Sequence, residues 1–112
     1  MSPRILTAFI VGVSLCAATA QGADNQSSEG SNDLHQSMMT GMEKMHSMKM
    51  SGNTDADFAS MMIEHHRQAI AMSRAELEHG SNAELKAKAR QIIADSEKDI
   101  GDLEKVRQQN PQ

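Results

Sequence analysis

At 112 residues, with a formal net charge of −4, the chain is long enough for one domain and is mildly acidic. It has two phenylalanines, no tryptophan or tyrosine and no cluster of basic residues, so it lacks both the electrostatic footprint and the stacking platforms that nucleic-acid binding requires. Its one cysteine, Cys16, excludes a disulfide framework and thiolate metal sites as the source of stability.

The chain opens with Arg4 and the apolar run ILTAFIVGVSLCAATA, which is too short to span a bilayer and ends in the small residues Ala18, Thr19 and Ala20. This pattern predicts a secretory signal over residues 1–20, with cleavage no later than residue 23, in preference to a retained membrane anchor. Lipid modification of Cys16 is disfavoured because Leu15 before it is bulky. Removal of the segment would leave an exported chain with no cysteine, no membrane attachment and one positive charge fewer.

Residues 21–32 are rich in Gly, Ser, Asn, Gln and Asp, lack apolar periodicity, and read as a disordered linker. A helical metal-binding domain is expected over residues 33–110. Its first helix, over 33–50, carries Leu34, Met38, Met42, Met45 and Met48 at helical spacing, with Gly41 lowering its propensity. Ser51, Gly52 and Asn53 end it. Thr54, with Asp57 three residues on, starts a second helix that lasts to His79, where Gly80 stops it. Ser81 with Glu84 starts a third, with Leu85, Ala89, Ile92, Ser96, Ile100 and Leu103 on one face, ending near Gln108.

No segment sustains an alternation of apolar and polar residues, and the connections are short. The fold expected is all-α: an antiparallel bundle of three helices, a long helical hairpin plus a shorter Met-rich helix. At about 1.5 Å per residue the first helix would reach roughly 27 Å and the others roughly 35–42 Å. Part of the hairpin would then be uncovered, and assembly into a homo-oligomer could cover it.

Nine of the ten methionines fall between Met38 and Met72. Taken singly, a methionine is most simply a filler of core gaps. The second helix, however, spaces Met61 and His65, and Met62 and His66, four residues apart, so each pair lies one turn apart on one face and can reach one ion. His65 and His66 point about 100° apart, one toward the bundle interior and the other to its flank. Met72 continues the His65 stripe, past the small Ala69, roughly 10 Å along the axis, which makes a ladder of donors. In the first helix His35, Met39, Met42, His46 and Met50 keep to one stripe and are candidates for the remaining ligands. A stripe meant only for the core would use Leu and Ile, as the third helix does. His79, at a helix end, is more simply a partner of the helix dipole, and Glu97, Lys98, Asp102 and Lys105 a solvated face.

Thioether and imidazole donors suit copper(I) or its larger analogue silver(I), with copper(II) an option where histidines gather. Calcium and magnesium need carboxylate oxygens, and zinc seldom takes methionine. Thioethers also cannot pair into disulfides in an oxidising compartment.

From Asp57 to Leu103 the residues Phe58, Met62, Ile63, His65, His66, Ala69, Ile70 and Met72, then Gly80 and the pair Ile92-Ile93, follow a recognisable order. The pattern is F-x-x-x-M-I-x-H-H-x-x-A-I-x-M, a glycine turn and an Ile-Ile pair, and in it the chain resembles the bacterial exported family of domain of unknown function 305. The resemblance implies a ferritin-like helical bundle and a periplasmic protein that binds copper or silver and helps cells to tolerate copper, with the Met and His positions above as ligands. The third helix departs from the pattern, with Ser96, Asp99 and Leu103 where members often carry Gln, Glu and Met. The Met-rich first helix lies outside the motif.

The function expected is not enzymatic. It is sequestration or delivery of copper(I), with metal ions and a copper-transport or copper-resistance protein as partners. Two readings of other classes stay open. Glu43-x-x-His46 and Glu76-x-x-His79 have the spacing of ferritin-like di-iron carboxylate enzymes, although such sites draw on four helices and three are expected here. A Met-rich surface can also serve a helical interaction module as an adaptable groove for a partner.

Overall fold

The computed structural model describes residues 20–110, with side chains from residue 28 onward. The secretory-signal reading of the first residues, and Cys16 with it, lies outside the described residues. Within them the chain is all-α, in three helices: α1 (Ala20–Ser47), α2 (Thr54–His79) and α3 (Ala83–Gln109). No helix among the described residues is long and apolar enough to cross a membrane.

α2 begins and ends where the sequence predicts, but its cap is one residue earlier. Asn53 is extended, and its side-chain oxygen accepts from the N–H groups of Asp55 at 3.1 Å and Ala56 at 3.2 Å, satisfying two of the donors a helix start leaves free. Asp57, read as the capping partner of Thr54, faces back into the connection. It accepts from the Ser51 N–H and the Ser51 hydroxyl, both at 2.8 Å, and from the Gly52 N–H at 3.2 Å. Gly52 sits at φ +88°, a conformation that costs glycine nothing. α3 is likewise capped by Asn82, which accepts from Glu84 N–H at 2.9 Å and Leu85 N–H at 3.0 Å, and not by Ser81.

α1 departs further from expectation. It runs back to Ala20 through the stretch read as a linker, and it stops at Ser47, short of residue 50. At 28 residues it matches the 26 of α2, but Gly30 already sits opposite His79, so residues 20–29 run past the end of α2 and the first turns of α2 lie beyond the end of α1. Contacts with α2 begin before residue 33, the start that the sequence predicts. Gly30 seats against His79 so closely that an added Cβ would come within 2.5 Å of the His79 Cβ, and Asp33 Oδ2 meets His79 Nε2 at 2.9 Å. Gly41 is the second close approach, where a Cβ would fall 2.6 Å from Gln68 Cγ, and Gln68 Nε2 donates to the Met38 carbonyl at 3.0 Å. The glycine that weakens α1 as an isolated helix is thus the one that lets it dock.

α2 packs against both neighbours, whereas α1 and α3 make no contact with each other among the described residues. The result is an open antiparallel bundle with α2 in the middle. Its seams are built from small side chains: Ala56, Ala59, Ala75, Ala89, Ser60, Ser73 and Ser96 are buried, and Ile63 is the one large side chain fully enclosed among the described residues. Small residues let helix backbones approach closely but bury little apolar area. On α3, Ala89 and Ser96 are buried and Ile100 and Leu103 half-buried, as predicted. Leu85 and Ile92 are instead exposed, and Ile93 takes the inner position, because the seam follows the line of the small residues Ala89 and Ser96.

Candidate metal-binding surface

Two lines of contact fix how α2 presents its side chains. α1 docks along Gln68 and His79, and α3 docks along Ile63, His66 and Ile70. At about 100° per residue these lines are well separated around α2 and leave two free sectors. One sector holds Glu64, Arg67 and Arg74, which line grooves with Lys44 of α1 and Arg107 of α3. Arg67 pairs with Glu64 and reaches Glu104 of α3 at 3.5 Å. The other sector holds Phe58, Met61, Met62, His65, Ala69 and Met72, with Glu76 at its far end.

Four of the α2 candidates, Met61, Met62, His65 and Met72, thus share the sector away from the charged grooves, and His66 lies at its edge on the α3 docking line. Met61 and His65 are exposed, while Met62, His66 and Met72 are half-buried. His66 turns toward α3, its Nε2 3.9 Å from Asp99 Oδ2, and His65 turns outward. The two rings lie edge to face, with centroids 6.1 Å apart and planes at 73°.

The α1 candidates are placed differently. His35, Met39, Met42 and His46 are exposed, and at about 100° per residue they lie roughly 110–170° around α1 from the Gly30–Gly41 line that meets α2. Met50 is exposed beyond the helix end. This stripe is thus an array on the outer surface and is not carried to the α2 donors. What α1 places at the seam is Leu34, Met45 and Met48, all half-buried, with Met38 at its edge. With Gly30 opposite His79 and Gly41 opposite Gln68, the antiparallel register puts Met45 level with Glu64 and Met48 level with Met61. A ligand search by His/Met spacing passes over Met45 and Met48; the signal that finds them is the pair of glycines three turns apart, which marks the docking face.

Asp99 was also missed as a neighbour of His66, and it is one of the positions where α3 departs from the family pattern. Among the described residues no three His, Cys, Asp or Glu gather as a group that could hold a metal, so a site within them would draw on thioethers. The Glu43/His46 pair is exposed on α1, Glu76 lies near the far end of α2, and His79 is held by Asp33; the two Glu-x-x-His pairs do not converge. Elsewhere on α3, Asp102 accepts from Lys98 at 2.9 Å and Lys105 at 3.1 Å on the expected solvated face. The hydrogen bond from Lys98, then that from Lys105, holds the Asp102 carboxyl below the usual carboxylate range and pushes the Lys98 ammonium up.

A family model described as Domain of unknown function (DUF305) matches residues 12–107, a span that takes in α2, nearly all of α3 and the whole of α1. No curated protein and no solved structure matches the chain significantly.

Proposed function

Since the chain belongs to the domain of unknown function 305 family, we propose that it binds copper(I), with silver(I) as analogue and copper(II) where the histidines gather, and sequesters or hands on the metal without turnover. The observation that supports this reading is the free sector of α2, which holds one imidazole and three thioethers, with the His66 imidazole at its α3 edge, on a surface where a merely structural helix would be polar. The donor set fits a soft monovalent ion: thioethers and imidazoles are polarizable, and the carboxylates that border them, Asp99 beside His66 and Glu76 one turn beyond Met72, are too few for a hard cation. Met61 with His65 and Met62 with His66 would hold the ions, Met45 and Met48 lie level to add sulfur, and Met72 extends the ladder. His35, Met39, Met42, His46 and Met50 would form a second, outward-facing array. Export to the periplasm, a ferritin-like arrangement and hand-over to a copper-transport or copper-resistance protein belong to the same proposal.

The test is an anaerobic copper(I) titration of the purified protein against a competing chelator. Submicromolar binding is expected, weakened at least tenfold by joint replacement of Met62, His65 and His66 with alanine. Binding weaker than micromolar, or binding indifferent to that triple replacement, would sink the reading.

A further inference from the structure

The exposed apolar side chains are not scattered. Met61 and Phe58 on α2 are 42% and 60% exposed, and Leu85, Ile92 and Val106 on α3 are 55%, 43% and 45% exposed. Leu85, Ile92, Asp99 and Val106 repeat every seven positions, so the three apolar residues form one line along the helix, interrupted by Asp99. Asp99 meets His66, on the strip side of the α2–α3 seam, whereas Glu104 meets Arg67 on the groove side. The Leu85, Ile92 and Val106 line therefore borders the α2 strip. On the other flank, the polar edge of α1 with Asp33, Thr40 and Lys44 lines the groove side, which leaves Leu34 and Met38 toward the strip. The bundle is consequently two-faced: one broad side carries the Arg67 ion pairs, and the other, which His66–Asp99 borders and Glu76 closes at one end, is sulfur-rich and apolar across all three helices.

We propose that this second face is the interface with a second copy of the same chain, packed across a two-fold axis so that α2 lies against α2. Area argues for it. Three helices each about 10 Å wide and about 39 Å long present a face on the order of 1,000 Å², comparable to the roughly 800 Å² per partner of a standard stable interface. The core argues for it too, because a bundle with one fully enclosed large side chain leaves its apolar area to be buried elsewhere. An identical copy is the one partner always present in equal amount, and the face suits a two-fold: its central α2 positions include the small Ala69, which permits close approach where the two α2 helices cross. The pair would make a two-layer, six-helix body. The interface needs no metal, although it overlaps the α2 donor strip.

Sedimentation velocity of the protein, purified as the cell processes it and kept in chelator, decides the point. A dimer with micromolar or tighter affinity is expected. Phe58→Glu and Ile92→Glu should each weaken it at least tenfold, while Arg74→Glu, on the charged side, should leave it unchanged. Should the glutamate variants unfold on dissociating, the wild-type thermal midpoint must rise with protein concentration. A helical wild-type monomer throughout the concentration series, a midpoint independent of concentration in that event, or glutamate variants that dimerise like wild type would overturn the proposal. A chelated dimer that takes no copper would refute the metal reading alone, and a monomer that binds copper would refute this one alone.

Discussion

Asp57 fastens the connection between α1 and α2 to the first turn of α2, and it is the carboxylate whose acidity is most plainly tied to the fold. The Ser51 N–H, then the Ser51 hydroxyl and the Gly52 N–H, hold its carboxyl below the usual carboxylate range. A carboxylate whose folded-state value is lowered contributes stability that is fully present above the unfolded value, about 3.9, and is lost as pH falls through the lowered one. Asp57→Ala is therefore expected to lower the thermal midpoint at neutral pH, and the gap to wild type should close as the pH drops below about 4. A gap that persists unchanged in acid would show that the hydrogen bonds to Ser51 and Gly52 are not its source. The sequence made this residue visible for another reason: its spacing from Thr54 resembled a capping box. Thr54 and Ser81 were each next to the true cap: Asn53 offers the same short acceptor and ranks above threonine at that position, while Asn82 and Ser81 are equivalent in rank and only the structure picks between them.

At the scale of the elements, legibility follows how much apolar signal each helix carries toward its neighbour. α2 was readable at both ends because an acceptor-rich turn opens it and glycine closes it. α3 was readable as a helix, but its inner face was assigned to Ile92 when Ile93 holds it, because Leu85, Ile92 and Val106 form a stripe of their own. The docking face of α1 was illegible to periodicity, since Gly30 and Gly41 carry no hydrophobic signal at all. Its His/Met stripe was legible as a stripe, though not the direction it would face. With most of the seams made of alanine and serine, Ile63 bears a disproportionate share of the enclosed area. Ile63→Ala is expected to cost about 2–5 kcal/mol, read as a fall in the urea midpoint with the slope preserved. A loss below about 0.5 kcal/mol, the size of an ordinary surface change, would mean that the α2–α3 seam is not anchored there.

For the whole molecule, the number of helices and their order could be read from the sequence, but their arrangement in an open row could not, because nothing in the sequence says that α1 and α3 avoid each other. That arrangement places every inter-helix contact on α2 and divides the contacts into two independent sets. The α2–α3 set contains Ile63 and Ile70, while the α1–α2 set relies on glycine seats, the Gln68 hydrogen bond and the Asp33–His79 pair. Few buried apolar contacts and exposed hydrogen bonds are the marks of a segment that opens at low free energy. Native-state hydrogen exchange should accordingly show α1 amides exchanging before those of α2 and α3, and uniform protection across the three helices would contradict this. The two seams thus act as couplings in series, with α2 as their common member. Releasing α1 leaves the α2–α3 hairpin intact but bares Met45 and Met48 together, so that full access to those two sulfur atoms is governed by a local opening equilibrium and not by global unfolding.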